Sequence, residues 1–161
     1  MISEARTHRW TSLLTLGVLI AIFSFSAIDK IFHFKGFLLA LENYVILPSG
    51  NSLTIGVAVI VAELLIAIGL AIPRWRRRAA LLCAVMLGLF LMAIGSNYIY
   101  GDAGICGCWF TITLAKGAKA HLILNGALLL MALSLWWDEL TKVRAVLDSS
   151  EAPLEPMAEP S

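Results

Sequence analysis

Two of the three cysteines in this sequence, Cys106 and Cys108, are separated by a single glycine. A disulfide at this spacing needs a tight backbone turn, because its Cα atoms must lie ~4.4–6.8 Å apart, and Gly107 permits such a turn. A small, strained ring of this kind exchanges readily with other thiols. We therefore predict a disulfide-exchange pair, with an inert disulfide that stiffens a loop as the alternative.

The same two thiolates also suit a metal ion. With His121 or His33 they would complete a site for Cu(I) or zinc. The sequence holds no second cysteine pair, so we predict no metal. Cys83 lies in another apolar run, more than ~20 Å along a helix from the pair, and we interpret it as a small buried hydrophobe.

Glu63 is the second candidate for chemistry, because it lies in the middle of a long apolar run. An ionisable group at that depth is costly and by default suggests a function. A proton relay and a polar contact that fastens helices together explain it equally well. The partners we expect for it are Asn125, Ser96 or Asn97.

His121 and Asn125 are four residues apart and therefore share one face of a helix. His121 is close in sequence to the cysteine pair, and we predict that it favours the thiolate or shuttles a proton. A histidine that only faces lipid headgroups is the alternative. Asp29, Lys30 and His33 form another polar cluster, whose members pair with one another or line the same site.

Aromatic residues flank the cysteine pair. Trp109 and Tyr98 are placed to stack on a quinone ring, and we group Asn125 with them as a quinone-binding residue. A belt of aromatic side chains at the membrane surface explains Trp109 and Tyr98 equally well.

The composition identifies the solvent around these residues as lipid. The chain has 161 residues, of which 60% are hydrophobic and only 14% charged, and its mean hydropathy is +0.86. The net charge of +1 offers no basic face for nucleic acid. Four apolar runs, 11–30, 53–72, 79–99 and 120–137, approach the ~20 residues that cross a bilayer as a helix. We interpret the first as a retained span and not a cleaved signal peptide.

The sequence thus predicts an all-α membrane protein, a four-helix transmembrane bundle over 11–147. Residues 1–10 precede it, and 148–161 form a disordered tail rich in acid and proline. The segment Phe34–Leu47 is predicted to form a short helix in the membrane interface after the first span; an ordinary loop is the alternative.

Charge bias predicts the orientation of the bundle. An even number of spans places both termini on one side, together with Arg6, Arg9, Arg74, Arg76, Arg77, Arg78, Lys142 and Arg144. Lys30, Lys35, Lys116 and Lys119 fall on the other side. The positive-inside rule then makes the termini cytoplasmic. In a bacterial inner membrane the cysteine pair would face the periplasm.

Three motifs at these positions resemble one family. They are Tyr44-Val45-Ile46-Leu47-Pro48, Ala62-Glu63-Leu64-Leu65 and Cys106-Gly107-Cys108. The chain resembles the DoxX-like membrane proteins, and within them the methylamine-utilisation MauE family, over roughly residues 28–137. The family motif often continues Cys-Gly-Cys-Phe-Gly, whereas this chain has Trp109-Phe110 after the second cysteine.

The resemblance implies an inner-membrane protein that supports the redox maturation of other proteins. It implies a thioredoxin-like or substrate protein in the periplasm as partner, quinone as a candidate electron acceptor, Cys106 and Cys108 as the exchange pair, and Glu63 as the family's intramembrane acid. A non-catalytic anchor or assembly subunit of a larger oxidoreductase complex is the main alternative. A small transporter or metal handler is a third.

Overall fold

Five helices make up the computed structural model, which describes residues 2–42, 44, 50–100 and 118–151. They are α1 (Ile2–Phe32), α2 (Phe34–Glu42), α3 (Ser52–Ala71), α4 (Arg76–Tyr100) and α5 (Ala118–Glu151). Within those residues there is no β-strand. Four segments are long and apolar enough to cross a membrane: Trp10–Phe32, Ser52–Ala71, Arg76–Tyr100 and Lys119–Arg144. The predicted all-α fold with four spans is confirmed.

Helices α1 and α5 extend furthest beyond the predicted spans. Helix α1 begins at Ile2, nine residues before the predicted span 11–30, and continues to Phe32, two residues after it. Helix α5 continues to Glu151, so residues 148–151, which we assigned to a disordered tail, are helical. Residues 152–161 lie outside the described part of the chain.

The four long helices form an antiparallel bundle. Helix α1 packs against α3 and α5, and α4 packs against the same two helices from the opposite corner. The core between them contains Leu19, Phe23, Ile66, Leu87 and Leu135. Outside this core the helices keep an apolar surface. In the most hydrophobic stretch of each of the four spans, only 22% to 39% of the residues are buried. A helix that is hydrophobic all round suits a lipid environment.

Helix α2 is the predicted short helix after the first span, and it rests on α3. Its Phe37 and Leu41 are buried in a second cluster with Tyr44 and Ile60. Gly56 makes the close approach of α2 possible, because a Cβ there would lie 2.7 Å from a methyl carbon of Leu38. The helix ends at Glu42, earlier than predicted, and residues 45–49 lie outside the described part of the chain.

Helices α3 and α4 meet through the tight connection 72–75. Pro73 lacks an N–H and does not continue α3. The helices touch at Gly69, where a Cβ would lie only 2.8 Å from the Cβ of Ala79. Arg76 closes the turn by donating from Nε to the carbonyl oxygen of Leu70, at 3.3 Å.

Candidate functional site: a buried ion pair between the first two spans

Glu63 forms an ion pair with Lys30 inside the bundle. The Lys30 Nζ lies 2.8 Å from Glu63 Oε1, and the two residues are 3% and 1% exposed. Ser26 completes the cluster: its hydroxyl donates to the same Glu63 oxygen at 3.0 Å and accepts from Lys30 at 2.5 Å. Three polar side chains thus share one buried site between α1 and α3.

Helix geometry brings the three residues together. Ser26 and Lys30 are four residues apart and lie one above the other on the face of α1 that meets α3. Lys30 lies two residues before the end of α1, where a lysine usually extends outward to the headgroups. Here its ammonium lies inside the bundle, where it also rests 5.5 Å from the centroid of the Phe37 ring on α2. Phe37 therefore adds a cation–π contact to the ion pair.

The second carboxylate oxygen of Glu63 has a different environment. Among the described residues, no donor bonds to Glu63 Oε2. Glu63 and Ser26 line a small cavity with Phe23, Leu87 and Leu128, of about 10 Å³. That is close to the smallest volume that holds one water molecule. The site therefore combines a neutralised charge pair with one carboxylate oxygen left to accept a hydrogen bond or a proton.

The structure gives Glu63 different partners from those that the sequence suggested. Ser96 donates to the backbone oxygen of Ala93 at 2.9 Å, and Asn125 donates to the backbone oxygen of His121 at 2.9 Å. The side chain of Asn97 lies outside the described part of the structure. Sequence reasoning missed Lys30 because it was counted as a loop cation. The signal was the Ser26–Lys30 spacing of four residues together with an acid that needed a counter-charge.

The other polar residues near the end of α1 separate into two groups. His33 Nδ1 lies 3.1 Å from the Asp29 carboxylate, in an exposed contact along the helix, while Lys30 turns inward to Glu63. Of the three residues predicted to cluster, Asp29 and His33 are therefore in contact, whereas Lys30 is paired with Glu63.

The remaining predicted site residues take distinct positions. His121 is half-buried in the first turn of α5, and Asn125 one turn later is fully buried. Within the described part of the structure, the Asn125 side-chain oxygen has no hydrogen-bond partner. Tyr98 is 47% exposed near the end of α4, as residues of an aromatic belt are.

The predicted thiol pair, Cys106 and Cys108, and the neighbouring Trp109 lie outside the described residues. Their segment, 101–117, connects the end of α4 to the start of α5. Because the helices are antiparallel, both of these ends lie at the side of the bundle where α1 ends at Phe32. Cys83 is a free thiol, fully buried in the core.

Four apolar helices around a buried ion pair define a multi-pass α-helical membrane protein. The sequence model of the family described as "Methylamine utilisation protein MauE" matches residues 8–138, and this chain belongs to that family. A curated relative, the "Methylamine utilization protein MauE" of Paracoccus versutus, is 34% identical over 116 residues. The match covers 71% of this chain and 62% of the relative's length. No solved structure matches the chain.

Proposed function

We propose that this protein supports methylamine utilisation by thiol–disulfide exchange at Cys106 and Cys108, on the periplasmic face of a bacterial inner membrane. The observation that carries the proposal is the position of the thiol pair in a chain of the MauE family: it lies on the single connection between α4 and α5. The printed name of the relative supplies the methylamine part, and the cysteines supply the chemistry.

Charge bias supports the periplasmic orientation. Eight lysines and arginines belong to the side of the termini and four to the other side, but Lys30 is buried against Glu63. Removing this paired lysine leaves eight cations against three. The positive-inside rule counts cations in short loops, so the bias toward cytoplasmic termini becomes stronger.

The proposed exchange proceeds in three steps. A thiolate of a reduced periplasmic partner, a thioredoxin-like or substrate protein, attacks the Cys106–Cys108 disulfide and forms a mixed disulfide. The second thiol of the partner resolves it, so the partner leaves oxidised and this chain holds two thiols. A membrane quinone then takes the two electrons and two protons, which restores the disulfide and yields quinol.

Four described residues, and Trp109 of the connecting segment, have proposed roles in this cycle. His121, half-buried at the start of α5, favours the thiolate that leaves when the Cys106–Cys108 disulfide is attacked. Glu63 accepts a proton through the oxygen that Lys30 and Ser26 leave unoccupied. Tyr98, with Trp109 and Asn125, is proposed to contact the quinone.

Alkylation of membranes with and without reductant tests the thiol chemistry. A maleimide that adds mass should change the electrophoretic mobility of the unreduced protein little, because Cys83 is buried and the Cys106–Cys108 pair is oxidised. After reduction it should add two labels, and Cys106→Ser or Cys108→Ser should add one. Cys83→Ser is the control and should leave both patterns unchanged. Two labels before reduction would contradict the resting disulfide.

Complementation tests the physiological part separately. The full chain is expressed in a Paracoccus versutus strain that lacks its own MauE, and growth on methylamine is measured. We expect growth with the wild-type chain and none with Cys106→Ser/Cys108→Ser at equal expression. Growth with the double variant would overturn the thiol role while leaving the methylamine role intact. Failure of the wild-type chain would count against the methylamine role.

A further inference from the structure

A large cavity opens at the end of the bundle opposite the thiol-bearing connection. It has a volume of about 760 Å³ and lies between the α3–α4 turn and the late part of α5. Its cationic lining is Arg74, Arg77 and Arg78, and its apolar lining includes Trp75 and Val143. This volume lies within the ~300–1,000 Å³ range of ligand sites.

The charges around this cavity are not balanced by the described residues. Glu139 is its acidic lining residue, but it bonds to Lys142 at 2.7 Å and lies 3.9 Å from Arg76. Within the described part of the chain, Arg74, Arg77 and Arg78 pair with no carboxylate. Two of the three occupy the first turn of α4, where the helix dipole already adds positive charge. A bound anion would relieve this repulsion.

The lining also indicates what kind of anion fits. Trp75 is 53% exposed, and indole rings favour the headgroup level of a bilayer. Ile72 and Pro73 line the cavity beside the arginines and continue the apolar surface of α3. A ligand that is anionic at one end and apolar at the other meets both halves of this lining. Basic pockets between transmembrane helices on the cytoplasmic side bind such lipid headgroups.

We infer that the cavity formed by Arg74, Arg77 and Arg78 with Trp75 binds the headgroup of an anionic phospholipid. The arginines contact the phosphate, and the acyl chains leave along the apolar surface of α3. This inference does not depend on the proposed thiol exchange, because the cavity and the cysteine segment lie at opposite ends of the bundle.

Lipid titration of the purified full chain in neutral detergent tests the inference, with bound lipid measured by native mass spectrometry. Phosphatidylglycerol should bind at least tenfold more tightly than phosphatidylcholine. Because each arginine near the surface changes binding by roughly fivefold, Arg77→Gln/Arg78→Gln should weaken phosphatidylglycerol binding about 25-fold. Arg74→Gln, which lies outside the helices, should weaken it about fivefold.

Arg144→Gln is the matched control, because it removes an exposed arginine at the same end of the bundle that does not line the cavity. The affinity of this variant for phosphatidylglycerol should stay within twofold of that of the unchanged protein. Equal affinity for the two lipids, or an equal loss with Arg144→Gln, would overturn the inference. So would displacement of the lipid by inorganic phosphate at equal concentration, which would mark a free-phosphate site. A variant that ends at Glu151 is a further test. If it binds lipid far more tightly than the full chain, residues 152–161 and not a lipid occupy the cavity in the full chain, which would also overturn the inference.

Discussion

At the scale of single residues, the Lys30–Glu63 pair is the most consequential feature of the bundle. Each charge is enclosed, and each is neutralised mainly by the other. Removing one member of a buried pair leaves a charge without compensation, whereas removing both often changes stability little. The pair therefore specifies how α1 meets α3 more than it adds net stability.

A double-mutant cycle tests this interpretation. Lys30→Met and Glu63→Gln should each lower the free energy of unfolding by about 3 kcal/mol, and the double variant should recover most of that loss. Lys35→Met, which removes an exposed lysine at the start of α2, is the control and should change little. Unfolding is followed by circular dichroism in mixed micelles with rising dodecyl sulfate. Additive losses in the double variant would show that the two charges do not interact.

Ser26 should contribute less than the ion pair. Its hydroxyl bonds to both Glu63 and Lys30, and loss of one buried hydrogen-bonding group costs about 1 kcal/mol. We expect Ser26→Ala to destabilise the bundle by that amount in the same unfolding assay. Ser24→Ala, half-buried on the same helix, should cost less than half as much. If both variants lose the same free energy of unfolding, the loss comes from replacing a serine in α1 and not from the contacts with Glu63 and Lys30.

The sequence identified one member of this site and not the other two. Glu63 stands out because an acid within an apolar run is conspicuous. Lys30 does not, because a lysine near the end of a span usually extends to the headgroups, and hydropathy alone does not show that it points inward. The side-chain direction depends on which face of α1 meets α3, which is a tertiary property.

At the scale of helices, close packing between α3 and α4 depends on small residues. Gly69 and Ala79 face each other just before and just after the turn at 72–75. Neither helix can move far, because only four residues connect them. This contact fixes the end of the bundle that carries the arginine cavity.

Gly69→Ala should therefore destabilise the protein, although alanine is the better helix former. The added methyl would lie 2.8 Å from the Cβ of Ala79, and overpacking of a rigid contact costs about 1–3 kcal/mol. Gly88→Ala on α4 is the matched control, because a Cβ at that position would meet no atom within 4 Å. It should be neutral or stabilise by up to ~1 kcal/mol. Thermal unfolding in detergent compares the two, and a stable Gly69→Ala would show that the helices separate easily.

Hydropathy predicted all four spans, but it did not predict where the helices end. Helix α5 continues past the predicted span 120–137 through Asp138, Glu139 and Lys142, where an ion pair three residues apart, Lys142 with Glu139 at 2.7 Å, supports the helix. Span length reports the thickness of the hydrocarbon, whereas the polar continuation depends on side-chain pairs that hydropathy does not register.

At the scale of the whole molecule, the two ends of the bundle differ in chemistry. One end carries the arginine cavity, the start of α1 and the end of α5. The other carries α2, the inward-facing Lys30, and the helix ends Tyr100 and Ala118 that the segment with Cys106 and Cys108 connects. An antiparallel bundle with four spans separates these features by the thickness of a membrane. The proposed thiol exchange and the proposed lipid site therefore belong to opposite compartments.

This separation predicts a labelling pattern in right-side-out spheroplasts treated with a membrane-impermeant maleimide. After reduction, Cys106 and Cys108 should react in intact spheroplasts. A cysteine introduced by Ser149→Cys, in a Cys106→Ser/Cys108→Ser background, should react only after lysis, because α5 carries that residue out on the side of the termini. The background variant alone is the control and should stay unlabelled, since Cys83 is fully buried. Labelling of the introduced cysteine in intact spheroplasts would reverse the orientation and place the thiol pair in the reducing compartment, where a resting disulfide is not stable.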